Sequence, residues 1–263
     1  MTTSNSIAQP LDILIVVWRE IDAVKTLFDI LESQSFQNYR VLVALNDPDD
    51  TVTASMPSNS KWEYHSGANE GYAGGLQRLL PHVKSDWVLC SNTDLTFKAN
   101  FLDDFVKATQ SVGEHIGYLG PKILFEDGRL QSAGGLLLGP EGLCKLRGIG
   151  EKNNTCLDHL SEVPVLSGCC FMIRKKVLDD VGGFDPRFFM YMEDIDYSRR
   201  IHMRYNTVYY PDVQVFHMYH KGSYKRINHL KYHISSAIKY FNKWGWFFDK
   251  ERKKINQAEH ERF

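Results

Sequence analysis

The sequence contains no uncharged apolar stretch approaching the ~18–20 residues that cross a bilayer. Its start, MTTSNSIAQP, lacks both the basic residues and the apolar run of a secretory signal. The expectation is a cytoplasmic chain, soluble or at most peripheral at the inner face of the plasma membrane. Cysteine is scarce: Cys90, Cys144, Cys156, Cys169 and Cys170 stand in 263 residues, and none forms a C-x-x-C pair. A reduced setting is the simpler reading. There is no charge bias either, with 31 Lys and Arg against 32 Asp and Glu, so net charge lends no support to a nucleic-acid partner. The G-x-G-x-x-G and G-x-x-x-x-G-K-[ST] patterns are missing, and neither a dinucleotide fold nor a P-loop ATPase is signalled. No internal repeat or low-complexity linker breaks the chain.

What is present points to a full core. Hydrophobic residues make up 43% of the chain and aromatics 13%, and one large α/β domain with a short appendage is the expected partition. LDILIVVW (11–18) reads as a buried strand, followed by Val24, Leu27, Phe28 and Leu31 at helical spacing. Further strands are predicted at 39–45, 62–65 and 87–90. A glycine-rich turn at 69–75 should lead into a helix ending near Val83. This alternation argues for a mostly parallel sheet flanked by helices, with ligands beyond the carboxyl ends of the strands. The second half is less regular: a hairpin or long loop in 116–150, a strand at 163–173, a helix at 175–181 closed by Gly182-Gly183, helical character at 193–204 and a strand at 207–217.

Four constellations carry chemistry. Asn92-Thr93-Asp94 follows an apolar strand and offers hard oxygen ligands of the kind Mg²⁺ or Mn²⁺ shares with substrate phosphates, although Asx residues close many strands. Glu193-Asp194 is a carboxylate pair in which each acid raises the other's pKa. Acidic residues also favour helix N-termini, but the aromatic lead-in Phe188-Phe189-Met190-Tyr191-Met192 favours an enclosed pocket. His217, with His220, Gly222 and Ser223 beyond it, sits at a strand end where a neutral imidazole can ligate metal. Asn69-Glu70-Gly71-Tyr72-Ala73-Gly74-Gly75 could bring backbone N–H groups close to an anion. His202, His229 and His233 show no partner pattern.

Each signal is ambiguous alone; their order is not. ILIVVWRE, Gln34, ALND, NEGYAGGLQR, CSNTDL, LSGCCFMIRKKVLDDVGGFD, FFMYMEDIDYSRR and FHMYHKGS follow one another over roughly residues 11–223. In this order the chain resembles the family 2 glycosyltransferases of the GT-A fold, in the rhamnosyl- and galactofuranosyltransferase-like branch of bacterial polysaccharide assembly. The resemblance implies an inverting transfer from a nucleotide-diphosphate sugar, dTDP-rhamnose first and UDP-galactofuranose or another UDP-hexose second. The acceptor would be a glycan or lipid-linked glycan of a cell-surface polysaccharide.

The resemblance also implies residue roles. Asp47 would read the base, with Val17 and Arg19 at the neighbouring strand end. Asn69, Gly71, Gly74, Asn92, Gly168 and Cys169 would line the donor sugar-nucleotide site, and Arg78 would reach the diphosphate. Asp94 and His217 would hold Mg²⁺ or Mn²⁺, Asp194 would be the base, and Glu193 would tune it or orient the acceptor. Asn92 stands where many relatives have aspartate, leaving one fewer negative charge for the metal. A sugar-nucleotide-binding protein without turnover is the non-enzyme alternative, which the retained acids and His217 oppose.

The expected division is a polar tail at 1–10, a GT-A domain at 11–227 and a C-terminal amphipathic helix with an aromatic, basic tail at 228–263. In that tail Leu230, Ile234, Ala237, Ile238 and Phe241 precede Trp244, Trp246, Phe247 and Phe248, interleaved with Lys243, Lys250, Arg252, Lys253 and Lys254. Two readings stay open: contact with a membrane interface, or closure of the protein's own surface.

Overall fold

The computed structural model describes residues 10–137, 147–150, 157–218 and 227–260. Cys144, Cys156, His220, Gly222, Ser223, most of the N-terminal tail and part of the 116–150 segment lie outside the described residues. No described helix is long and apolar enough to cross a membrane.

The chain builds β1 (Leu11–Val17), α1 (Ile21–Glu32), β2 (Tyr39–Leu45), α2 (Asp50–Ala54), β3 (Trp62–Ser66), α3 (Gly71–Leu79), β4 (Trp87–Ser91), β5 (Leu95–Thr96), α4 (Phe101–Ser111), β6 (Ile116–Phe125), β7 (Leu130–Ser132), β8 (Ser161–Glu162), β9 (Cys170–Arg174), α5 (Lys175–Val181), α6 (Glu193–His202), β10 (Asn206–His217), α7 (Ile227–Trp244) and α8 (Lys250–His260). One sheet runs β3-β2-β1-β4-β9-β6-β10-β5, with β7 on β6 and β8 on β10. Strands β1, β2, β3, β4, β6 and β10 share one direction, whereas β5, β7, β8 and β9 oppose it. The sheet is therefore mixed, with a parallel first half.

The even–odd alternation of β1 explains the two-sided core. Leu11, Ile13, Ile15 and Val17 pack with α1 and α4 through Val24, Leu27, Leu31, Phe101 and Phe105. Leu14 faces the other way, with α3, α5 and α6 through Leu76, Leu79, Val177, Tyr197 and Ile201. A strand buried on both faces reads as a continuous apolar run, as this one does. Gln34 fastens the first layer: its amide bonds the Ile30 and Lys98 carbonyls, and its oxygen accepts the Leu102 N–H at 3.1 Å.

Two local expectations change. The segment 69–75 is mostly helix, since α3 begins at Gly71, and only Gly71 is left-handed, at φ 74°. Gly74 and Gly75 are glycine because a Cβ there would come within 2.4 Å of the Glu70 side chain and 2.5 Å of Val16. The strand expected at 163–173 is regular only from Cys170. Before it, the backbone leaves the ladder, and Leu166 N–H bonds the Ser198 hydroxyl and Gly168 N–H the Asp194 carboxylate.

The C-terminal helices dock on α6 through a buried ionic network. Asp196, fully buried, accepts from Arg200 Nε at 3.0 Å, Trp244 Nε1 at 2.7 Å and Lys243 Nζ at 2.9 Å. Arg199 grips Asp249 with two bonds of 2.5 and 2.7 Å and lies over the Trp244 ring. Tyr240, Phe241 and Trp244 close over Phe188 and Met192. The tail residues thus divide: Ala237, Phe241 and Trp244 pack inward, whereas Leu230, Ile234, Ile238, Phe247 and Phe248 are exposed. Among the cysteines Cys90, Cys169 and Cys170 are free and buried, and burial raises their thiol pKa values.

Candidate active site

Three adjacent parallel strands end at one edge. Val17 and Leu45 are register partners, so Trp18-Arg19 and Asn46-Asp47 leave the sheet side by side. The Asn46 N–H bonds the Val17 carbonyl at 2.8 Å. Arg19, at φ 59°, brings its Nε to 2.6 Å from Asp47 Oδ2. That hydrogen bond, helped by the Asp49 N–H, holds the Asp47 carboxyl below its usual pKa. On the other side of β1, β4 delivers Asn92, Thr93 and Asp94. Asn92 N–H bonds the Cys169 carbonyl at 2.8 Å, and the Thr93 hydroxyl bonds Glu20 at 2.7 Å.

Asp94 is clamped to the end of β10. Its carbonyl accepts the Met218 N–H at 2.9 Å, and its Oδ2 lies 3.1 Å from His217 Nε2. His217 Nδ1 lies 2.9 Å from Gln131 Oε1. With Nδ1–H donating to that oxygen, the Nε2 lone pair faces the Asp94 carboxylate, two acceptors that a cation or proton between them reconciles. The second Asp94 oxygen, Oδ1, is buried without a hydrogen-bond partner. The 3.1 Å separation of the two donor atoms also matches the roughly 3.0 Å edge of an octahedron with Mg²⁺-type bonds of about 2.1 Å. A carboxylate oxygen and an imidazole nitrogen thus fit a divalent ion that draws its remaining ligands from substrate and water.

The carboxylate pair enters through two consecutive left-handed residues, Tyr191 at φ 68° and Met192 at φ 64°. Non-glycine residues in this region cost roughly 1–3 kcal/mol each and concentrate at functional sites. They turn α6 so that Asp194 meets two backbone donors, Gly168 N–H to Oδ2 at 3.0 Å and Ile195 N–H to Oδ1 at 2.9 Å. Gly168 cannot easily be larger, because a Cβ would sit 3.0 Å from the Asp194 Cβ. The Tyr72 hydroxyl bonds the Gly168 carbonyl at 2.7 Å and fixes that peptide from the other side.

Burial raises the Asp194 carboxyl pKa, against the two N–H bonds that favour its charged form. Glu193 is less well supported: its Oε2 is buried without a hydrogen-bond partner, and burial together with the Asp194 charge outweighs its own backbone N–H and pushes its pKa up to about 8. Burial thus raises both acids, and they differ in support: Asp194 accepts from the Gly168 and Ile195 N–H groups, whereas Glu193 Oε2 has no partner.

The Glu193 shift has a stability consequence. Between its ordinary 4.5 and about 8 the folded chain holds a proton that the unfolded chain has released. Stability contributed at this site therefore falls as pH rises through that range. Glu193→Gln should flatten that slope, matching the native chain near pH 4.5 and exceeding it at pH 8. Urea unfolding at both pH values measures this; parallel slopes for the two proteins would refute it.

Asn92, Asp94, Gly168, Cys169, Glu193, Asp194, His217 and Arg19 line one cavity of about 1090 Å³, and Asn69 and Gly71 line an adjoining one of about 360 Å³. Tyr72, Asn92, Thr93 and Asp94 border both. Gly71 is obligatory there, since a Cβ would fall 1.8 Å from the Phe189 carbonyl oxygen. The other candidates take supporting places. Val17 is core, Gly74 packs on Glu70, and Asp47 is paired with Arg19. Arg78 does not line either cavity: its guanidinium bonds the Ala68 carbonyl at 2.7 Å, the Leu45 carbonyl at 3.2 Å and Glu70 at 3.2 Å, bracing the start of α3.

Sequence reasoning missed Trp18, Glu20, Tyr72, Thr93, Tyr191 and, above all, His229, which borders both cavities. His229 Nδ1 lies 3.0 Å from the Tyr191 hydroxyl. Nothing in the spacing of a histidine on the distant helix α7 signals this, although the aromatic run ending at Tyr191 marks the wall it meets.

Comparison with known proteins follows the same lines. The chain is 29% identical over 196 residues to the N-acetylglucosaminyl-diphospho-decaprenol L-rhamnosyltransferase of Mycobacterium tuberculosis, covering 65% of this chain and 64% of that protein. It is 25% identical over 199 residues to the low-salt glycan biosynthesis hexosyltransferase Agl10 of Haloferax volcanii, covering 72% and 61%. The chain thus spans less than two thirds of the length of either relative. In fold it matches a Pyrobaculum calidifontis mannosyltransferase solved with GDP-mannose and Mn²⁺, with TM-score 0.60, 15% identity and coverage of 88% of this chain and 65% of that one. It also matches GalNAc-T7 solved with UDP, GalNAc and Mn²⁺, with TM-score 0.64, 14% identity and coverage of 82% and 45%. The profile of the family described as Glycosyl transferase family 2 matches residues 12–182, and with well over half of its length matched the chain belongs to that family.

Proposed function

We propose that this protein transfers a sugar from a nucleoside-diphosphate donor to a hydroxyl of a glycan or lipid-linked glycan, with inversion at the sugar carbon. One observation carries the reading: the Asp194 carboxylate, held by two backbone N–H groups, and the Asp94–His217 pair line the same cavity. At about 1090 Å³ that cavity exceeds the usual range for one small ligand, room that suits two substrates. The donor named first is dTDP-rhamnose and second UDP-galactofuranose or another UDP-hexose. The rhamnosyltransferase relative from Mycobacterium tuberculosis supports that order, and its diphospho-decaprenol name supports a lipid-linked acceptor.

Asp94 and His217 would hold Mg²⁺ or Mn²⁺, which as a Lewis acid offsets the charge developing on a departing diphosphate. The chain's own groups do the rest. Asp194 accepts the acceptor hydroxyl's proton as that oxygen attacks the anomeric carbon, and its bonds to Gly168 and Ile195 keep the carboxylate in one orientation. Glu193 stays protonated beside it, so no second negative charge opposes the approach. Gly168 and Cys169 line the cavity beside Asp194, and the missing Cβ of Gly168 lets its N–H reach that carboxylate. A single base with a single displacement gives inversion.

A screen of nucleoside diphosphates by thermal shift tests the donor assignment, because bound ligand raises apparent stability with affinity. dTDP with Mn²⁺ should raise Tm most, UDP less, and GDP least. No shift from any of them would overturn the reading.

The exposed part of α7 bears on the acceptor. Leu230, Ile234 and Ile238 lie one turn apart on a helix that carries no carboxylate, with Lys231 exposed beside them. His229, next to Leu230, borders the cavity. This face would rest on an anionic bilayer and bring a lipid-borne acceptor to the cavity mouth. Flotation with phosphatidylglycerol-rich liposomes should recover the native chain and lose a Leu230→Ser, Ile234→Ser, Ile238→Ser variant; equal recovery of both would exclude this face.

A further inference from the structure

A second group of metal-ligating side chains stands away from the cavity, at the far edge of the sheet. Glu63 and His65 alternate along β3 and therefore project from the same side of this edge strand. His82 ends the single 3₁₀ turn Leu80–His82 that follows α3. Glu63 Oε1 lies 3.0 Å from His65 Nε2 and 3.9 Å from His82 Nδ1, and the three ligand atoms are all within 4.8 Å of one another. The two imidazole centroids are 4.0 Å apart.

We propose that Glu63, His65 and His82 form a binding site for a borderline transition-metal dication of the Zn²⁺ class, separate from the Asp94–His217 pair. Zn²⁺ bonds His nitrogen and carboxylate oxygen at about 2.0–2.1 Å in tetrahedral geometry, which sets neighbouring ligand atoms about 3.3–3.4 Å apart. The observed 3.0 and 3.9 Å bracket that edge and the third separation is within 4.8 Å, so side-chain rotation that draws the two imidazoles together completes three ligands and leaves a fourth position open to water. Two nitrogens and one carboxylate favour Zn²⁺ over the oxygen-seeking Mg²⁺.

The surroundings agree with a cation. Arg40 bonds the fully buried Asp12 carboxylate at 2.8–2.9 Å and the His82 carbonyl at 2.7 Å, and its other terminal nitrogen lies 3.6 Å from Glu63 Oε2, leaving Glu63 Oε1 to face the two imidazoles. Asp12, Arg40 and Glu63 together carry one net negative charge. Burial, and then the neighbouring His82, lowers the His65 pKa, a direction that favours the neutral, ligating form. The bond from Arg40 to the His82 carbonyl also fixes the backbone of the third ligand.

Position gives the site a role. β3 leads into α3 through 67–70, and His82 lies just beyond the end of that helix. An ion bridging residues 65 and 82 closes the unit that carries Asn69 and Gly71 at the cavity wall, and it stabilises the unit by shortening the open loop. The proposal does not depend on the transfer reaction.

The test uses the full, tag-free chain bearing Asp94→Ala, which removes the other site, titrated with Zn²⁺ alone by equilibrium dialysis and metal analysis. One Zn²⁺ per chain is expected, with a Zn²⁺-dependent rise in Tm. Adding His82→Ala, a half-exposed position, should weaken binding at least tenfold and abolish the Tm rise, and Glu63→Gln should do so with the shape kept. Circular dichroism checks that each variant is folded. Failure of the Asp94→Ala chain to bind Zn²⁺, or equal binding by the His82→Ala and Glu63→Gln chains, would overturn the assignment.

Discussion

Replacing Asp194 with Asn should lower the transfer rate at least a thousandfold while leaving donor binding within a few fold of native. General-base catalysis contributes roughly 10²–10⁴, and Asp194 is the group proposed to take the proton. Glu193 is next in the chain, but its buried oxygen has no partner and its carboxyl holds a proton at neutral pH. The amide keeps the volume and one acceptor atom, so one of the bonds to Gly168 and Ile195 survives. The donor's contacts with the far side of the cavity are untouched. Release of nucleoside diphosphate measures the rate, and the dTDP–Mn²⁺ thermal shift measures binding. A variant turning over within tenfold of native would remove Asp194 from the role of base.

Asp94→Ala is expected to remove metal-dependent turnover by at least a hundredfold and to act differently on binding. Its Oδ1 is buried and unpartnered, and its Oδ2 faces His217 Nε2 at 3.1 Å. An alanine leaves only the imidazole. Because Asn92 supplies no charge next to it, the native pair is weak for a hard dication until diphosphate oxygens join it. Calorimetry should detect little Mn²⁺ binding to the native chain alone and clear binding once dTDP is present. The variant should bind dTDP without any gain from Mn²⁺. A Mn²⁺ effect of native size in Asp94→Ala would place the ion elsewhere.

Much of this was legible because the informative residues lie at element ends. The apolar run 11–17 became β1, and the turn signal at 46–48 marks where β2 stops. Asp94 and His217, 123 residues apart, meet because β5 and β10 pair at Leu95 and His217, a pairing that no local pattern announces. The family-like order of motifs supplied it instead. Glycine was the misleading letter: in 69–75 it marks close packing of α3 on Val16 and Glu70, with only Gly71 serving a turn. Arg78, placed at the diphosphate by the family resemblance, bonds the Leu45 and Ala68 carbonyls, Asn46 and Glu70 in this structure. His229 was invisible, because contacts between α7 and the cavity wall depend on how the last helices dock.

The docking of those helices reaches into the cavity's acidic wall. Arg199 and Asp249 are 50 residues apart, and Asp196 needs Lys243 and Trp244. Without α7 and α8, Asp196 and Arg199 on the helix bearing Glu193 and Asp194 lack Lys243, Trp244 and Asp249, and a buried charge lacking its counter-ion is strongly unfavourable. The helix bearing Glu193 and Asp194 therefore settles into place only with α7 and α8, which tie the geometry of the acidic wall to helices that follow it in the chain by some 50 residues.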